Sequence, residues 1–201
     1  MNYRKKRLLS RVTNAVGSLL RLVHQEEVLY REALQSFREK NNTTRLILIL
    51  CQGNICRSPF AEHQLRRILN DAGIENIIVQ SAGLNTTSGK PADAGGIRTA
   101  RKYALDLSGH RTTQANHEKI AAADLILVME PSHNLLLARE FPFAKSRSIL
   151  LGAFALRKGY PLVIEDPYAK SDEVFDACFT QLDFAIHGLV DILKREREMN
   201  Q

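Results

Sequence analysis

Cysteine is scarce in this chain. Among 201 residues there are three, Cys51, Cys56 and Cys178, an odd number scattered along the sequence. Such usage excludes a disulfide framework and fits a reducing compartment. Long apolar runs are also missing, and none approaches the roughly 20 residues that a membrane-spanning helix needs. No internal repeat or low-complexity tract is present. A second cysteine pair and a well-spaced histidine are lacking too, so Cys51 and Cys56 do not read as half of a tetrahedral metal site.

Acids are absent from the beginning of the chain, where bases are concentrated. The first 23 residues hold Arg4, Lys5, Lys6, Arg7, Arg11 and Arg21 and no Asp or Glu. Their six charges equal the net charge of the whole chain, and 28 bases less those six leave 22 against 22 acids elsewhere. The body of the protein is therefore neutral, which argues against a nucleic-acid-binding surface. With 44% hydrophobic and 25% charged residues, the chain can bury an ordinary core without staples.

What is present falls into two parts. Residues 1–44 read as a basic, amphipathic helical extension. Leu8, Leu9, Val12, Val16, Leu19, Leu20 and Val23 recur at helical spacing, and a second helical stretch from Glu26 to Lys40 carries Val28, Leu29, Leu34 and Phe37. Asn41 to Thr44 form the linker. Three readings of the extension stand side by side: peripheral contact with an anionic membrane, packing on the domain or on a second copy, and a tail.

From residue 45 to 201 strands and helices alternate. Leu46–Leu50, Ile74–Ser81, Leu125–Met129 and Ser148–Leu151 read as strands. Pro59–Ala72, Ala94–Ala104, a segment from Ser132 and Asp172–Arg197 read as helices. This alternation predicts an α/β domain: one open parallel four-stranded sheet with helices on both faces. In such sheets the site lies beyond the carboxyl ends of the strands, where Cys51 stands.

The segment Cys51-Gln52-Gly53-Asn54-Ile55-Cys56-Arg57-Ser58 is a thiol, five residues and an arginine between an apolar strand and a helix. Its backbone N–H groups can close on one anion, Arg57 can bind two phosphate oxygens, and the following helix adds positive potential. Gly53 allows close backbone approach, and Asn54 tolerates the left-handed conformation that turns amides inward. Ser58 can donate to the sulfur or cap the helix ahead of Pro59. Glu165-Asp166-Pro167-Tyr168 offers an acid on a stiff turn beside an aromatic ring. By contrast, Gly83 to Pro91 imitates a nucleotide-binding loop with one residue too many and a proline where Ser or Thr should stand. It reads as an ordinary surface loop.

These motifs resemble the low-molecular-weight protein tyrosine phosphatases. Cys51–Pro59 matches the family's CxGNxCRSP signature, and Asp166-Pro167-Tyr168 its late Asp-Pro-aromatic loop. Ser81-Ala82-Gly83, His110 and Asp124–Glu130 fall in the same order. The likeness covers about residues 45–197. It is strongest for the bacterial branch paired with tyrosine kinases of capsule and exopolysaccharide export.

The resemblance implies a flavodoxin-like fold and a cytoplasmic, or membrane-associated, phosphatase that needs no cofactor or metal. Its substrate would be a phosphotyrosine protein, such as an autophosphorylated tyrosine kinase. Cys51 would be the nucleophile, Arg57 the phosphate ligand and Asp166 the acid that later activates water. Gln52, Gly53, Asn54, Ile55, Cys56, Arg57 and Ser58 would line the phosphate. Ser58, Asn54 and His110 would support the loop, Tyr168 and Gln52 would shape the substrate pocket, and Cys56 would form a reversible disulfide with Cys51. His63, His117, His133 and His187 read as structural or surface residues, and Cys178 as a small core residue. The rival readings are an arsenate reductase, a protein-arginine phosphatase (whose branch places Thr where Ile55 stands) and a non-catalytic phosphoprotein-binding module.

Overall fold

The computed structural model describes Gln35 and residues 45–199. The helices expected over residues 1–44, and the linker after them, lie outside the described residues apart from Gln35.

Strand β1 (Arg45–Cys51) runs through the centre of the sheet and is fully buried over its last five residues. Its side chains alternate between two cores. Ile47, Ile49 and Cys51 face one, while Leu48 and Leu50 face the other. A strand covered on both faces has no need of polar alternation, which explains the continuous apolar run. Strands β2 (Ile77–Gly83), β3 (Leu125–Val128) and β4 (Ser148–Leu150) complete a sheet of order β2-β1-β3-β4, with every pair parallel. The order reverses between β1 and β3. The carboxyl end of β1, occupied by Cys51, is therefore the switch point at which such sheets bind ligands.

The first face is covered by helices α1 (Arg57–Asp71), α2 (Ala94–Ala100) and α5 (Asp172–Met199). Phe60 of α1 stacks on Phe179 of α5 at 4.0 Å and meets Tyr103 edge-on at 5.0 Å. Ion pairs Arg98–Asp172 and Lys102–Asp176 join the α2 segment to α5 at the surface. The opposite face carries α3 (His117–Ala122) and α4 (Pro131–Glu140), whose Ile120 and Leu137 pack beneath Leu48 and Leu50.

Several boundaries differ from those read in the sequence. Helix α1 begins at Arg57, two residues before Pro59. β2 begins at Ile77 because Gly73 adopts φ 64° and the N–H of Ile74 bonds back to Leu69, holding Ile74 against α1. The helix expected over 94–104 stops at Ala100. One 3-10 turn, Arg101–Tyr103, follows and ends on Ala104 in the left-handed region. Helix α3 and the 3-10 segments Pro142–Arg147 and Leu151–Lys158 had no sequence expectation. Among the described residues no helix is long and apolar enough to cross a membrane.

Candidate active site

The loop from Cys51 to Arg57 is held by Asn54. This residue is fully buried and sits at φ 54°, a left-handed conformation that asparagine tolerates better than most side chains. Its Nδ2 donates to Ser58 Oγ at 2.8 Å and to Ser81 Oγ at 2.9 Å. Its Oδ1 accepts from the N–H of Thr113 at 2.9 Å. His110 Nε2 lies 2.8 Å from the Asn54 carbonyl, and since a carbonyl only accepts, that nitrogen carries the proton. Ser81 passes its own proton on to Glu62 Oε2 at 2.5 Å, and Glu62 is paired with Arg66. Every polar group of the asparagine is thus committed, which fixes the loop.

Two donors converge on the Cys51 sulfur, itself buried. The N–H of Asn54 is 3.2 Å away, and the Ser58 hydroxyl 3.1 Å. Because Ser58 Oγ already receives the Asn54 amide proton, its own proton can turn to the sulfur. Both donors stabilise negative charge there. Ser58 thus lies within the first turn of α1 and serves the sulfur, while Cys56, at the cap position, makes no capping bond.

Arg57 is 1% exposed. Nη1 donates to the Ile164 carbonyl at 3.0 Å, and Nη2 to Asp166 Oδ2 at 2.5 Å. Nη1 also lies 4.0 Å from Glu130 Oε2. The remaining donor, Nε, is buried without a hydrogen-bond partner. A buried, unpaired N–H on a cation beside a thiol is a group for which an anion is the natural partner. Asp166 is held from both sides, since its Oδ1 accepts from the Tyr168 N–H at 3.1 Å. A turn closed by Lys170 N–H to Pro167 O at 3.0 Å, with Ala169 at φ 58°, completes the segment.

The cleft above the sulfur has a volume of about 260 Å³. Cys51, Gln52, Gly53, Ile55, Cys56 and Arg57 form its floor, Asp166 and the half-exposed ring of Tyr168 one wall. Asn85, Thr86 and Lys90 form the other wall. This corrects the reading of Gly83–Pro91 as an ordinary surface loop. The N–H groups of Leu84 and Asn85 bond to the carbonyls of Cys51 and Gln52, both at 2.9 Å, and tie it to the phosphate-type loop. Among the expected site residues, Asn54, Ser58 and His110 lie outside the cleft surface and act on the loop from behind.

Burial pushes the Cys56 thiol far up, with Asp93, Cys51 and Asp166 adding to the effect. Cys178, buried on α5, is likewise pushed up, to about 12, chiefly by burial. All three cysteines are unpaired. Among the described residues no group of three His, Cys, Asp or Glu could hold a metal ion.

Sequence reasoning missed Glu62, Thr113, Ile164, Glu130 and His133 as parts of this site. Glu62 stands four residues before Arg66 on one helix face, a spacing that signals their ion pair but not the bond to Ser81. The Ile164 carbonyl is 107 residues from Arg57 and carries no local signal. His133, read as structural or surface, is 1% exposed and lies beside Glu130, with Nε2 3.0 Å from Oε1.

The model of the family described as low molecular weight phosphotyrosine protein phosphatase matches residues 46–199. The chain is 36% identical over 151 residues to the low molecular weight protein-tyrosine-phosphatase Wzb of Escherichia coli K12, covering 75% of this chain and 97% of Wzb. Among solved structures it resembles Vibrio vulnificus Wzb in complex with benzylphosphonate (TM-score 0.66, 34% identity, 74% of this chain and 98% of that one). It also resembles the YwlE arginine phosphatase from Geobacillus stearothermophilus (TM-score 0.69, 27% identity, 78% and 97%).

Proposed function

The chain belongs to the low molecular weight phosphotyrosine protein phosphatase family of hydrolases, and from that premise we propose that Cys51 carries the phosphoryl group during hydrolysis of phosphotyrosine in proteins. The observation that supports this most is the convergence of the Asn54 N–H and the Ser58 hydroxyl on one sulfur, in a cleft that the buried guanidinium of Arg57, with its unpaired Nε, also lines.

The sulfur attacks phosphorus, the S–P bond forms and the bond to the phenolic oxygen breaks. Asp166 gives its proton to that oxygen. Its carboxylate then takes a proton from water, the oxygen of which attacks phosphorus, and the S–P bond breaks to release inorganic phosphate. Arg57 meets the phosphoryl oxygens with Nε and, once Asp166 has let go, with Nη2. Gln52, Gly53, Ile55 and Cys56 complete the cradle, and Tyr168 forms an aromatic wall. Serine at position 51 should abolish turnover of p-nitrophenyl phosphate. Alanine at 166 should cost about 10²–10⁴ in kcat on phenyl phosphates with poor leaving groups and far less on activated ones. Equal losses along a leaving-group series would remove Asp166 from the acid role.

Ile55 presents an aliphatic side chain to the cleft, which suits a phenyl ester better than a guanidinium phosphate. Faster turnover of phosphoarginine than of phosphotyrosine peptides would overturn this preference. The physiological substrate in this reading is an autophosphorylated tyrosine kinase of polysaccharide export. Residues 45–201 are the catalytic domain. For residues 1–44 three readings stand, contact with an anionic membrane, packing on the domain or on a second copy, and a tail, and co-sedimentation of the full chain with anionic vesicles at low salt separates the first from the others.

Cys56 is the resolving thiol in this reading. Peroxide oxidises the Cys51 sulfur to a sulfenic acid with loss of water or hydroxide, and Cys56 displaces the oxygen as water to give a disulfide. A Cys56→Ser enzyme treated with peroxide should recover much less activity on reduction than the native chain. Equal recovery would exclude the role.

A further inference from the structure

Arg57 lies between two carboxylates with different tasks. Asp166, at 2.5 Å, has to leave the guanidinium to reach the leaving group. Glu130, at 4.0 Å, has no such duty. It occupies the cap position of α4, yet its side chain makes no capping bond there and is directed to the arginine instead. Its other oxygen, Oε1, lies 3.0 Å from Nε2 of His133.

His133 is nearly inaccessible, and its tautomer follows from its neighbours. Nδ1 accepts the N–H of Met129 at 3.4 Å, so Nδ1 is bare and Nε2 carries the proton, facing Glu130. Nε2 is buried and makes no hydrogen bond among the described residues, and Glu130 Oε1 at 3.0 Å is its polar neighbour. The contact is therefore an electrostatic brace between a buried ring N–H and a carboxylate that is 31% exposed. Met129 also connects to Arg57 through the backbone. Its carbonyl accepts from the Ile164 N–H at 3.0 Å, and the Ile164 carbonyl accepts from Arg57 Nη1.

We infer that His133 is a positioning residue for Arg57: its Nε2–H steadies Glu130, and Glu130 keeps the guanidinium aimed at the phosphoryl oxygens while Asp166 is away. The inference rests on the phosphatase reading above. It assigns the imidazole no contact with substrate.

The two ring nitrogens can be replaced separately. In His133→Asn the side-chain oxygen stands for Nδ1 and the brace is lost. In His133→Gln the amide N–H stands for Nε2 and the brace is kept. The readouts are vanadate inhibition, kcat and KM for p-nitrophenyl phosphate, and melting temperature. Asn should weaken vanadate binding about tenfold and lower kcat/KM to match, a scale usual for sub-ångström misplacement of a catalytic group. Gln should stay within about threefold of the native enzyme on both. In a Glu130→Gln background, the further change to Asn should alter vanadate inhibition less than about twofold, because the two residues act as one unit.

Native vanadate inhibition in His133→Asn would overturn the proposal. So would a full tenfold effect that persists in the Glu130→Gln background, or equal damage in Asn and Gln that follows melting temperature alone. Should His133→Asn fail to fold, Glu130→Gln carries the test: it should weaken vanadate binding, and unchanged binding refutes the brace. Failure of the underlying reading is distinguishable, because then the native chain itself would not turn over p-nitrophenyl phosphate or bind vanadate.

Discussion

Single residues carry most of the chemistry, and they differ in how far the sequence exposes them. Cys51, Asn54, Arg57 and Ser58 fall within eight positions, so their pattern could be read directly. Asn54 illustrates why that pattern is informative: one left-handed asparagine satisfies Ser58, Ser81 and Thr113 at once. His133 is the opposite case. Nothing local distinguishes it from a surface histidine, and only the folded chain seals it beside Glu130. It has a measurable consequence. Burial brings the imidazole from 6.5 down to about 4, with Arg57 pushing the same way and Glu130 and Asp166 pulling back. The folded value lies below the unfolded one, so the unfolded chain takes up the proton first. The stability of the neutral form is complete above pH 6.5 and is lost as pH falls through about 4. That shift corresponds to about 3 kcal/mol. Urea unfolding at pH 7 and pH 4 should show the native chain losing about that much more stability than His133→Gln, whose side chain does not titrate. An equal loss in both would mean that the imidazole is not held neutral.

At the scale of elements, β1 and β3 were legible because strands buried on both faces leave unbroken apolar runs. The short helix α3 and the 3-10 segments were not, since six or eight residues give too little periodicity to see. The segment from Gly83 to Pro91 misled for a physical reason. Its polarity marks a surface loop, which it is, but polarity cannot tell that its backbone bonds to Cys51 and Gln52. Its first glycine also matters. A Cβ on Gly83 would lie 2.7 Å from Thr86 Cγ2 and 3.1 Å from the Gly53 carbonyl carbon, so it would press this wall and the cradle apart. Gly83→Ala should cost about 1–3 kcal/mol in unfolding experiments and lower kcat on p-nitrophenyl phosphate. Gly109→Ala, where a Cβ meets nothing within 4 Å, should do neither and is the control. A fully active, equally stable Gly83→Ala enzyme would contradict the role given to this loop.

The whole molecule joins a neutral body to a basic beginning, since the net charge of +6 equals that of the first 23 residues. The fold brings segments far apart in sequence to one end of the sheet: the loop after β1, the wall after β2, Glu130 after β3 and Asp166 ahead of α5. This long-range assembly is why the reaction class was legible in two motifs while its supporting groups were not. Everything in the account converges on a phosphorylated sulfur. The direct test is rapid quenching during turnover of a phosphotyrosine peptide, followed by mass spectrometry of the peptide that spans residue 51. The account predicts one phosphoryl group on Cys51, none in Cys51→Ala, and no hydrolysis by that variant. Undiminished hydrolysis with no phosphorus on Cys51 would contradict it.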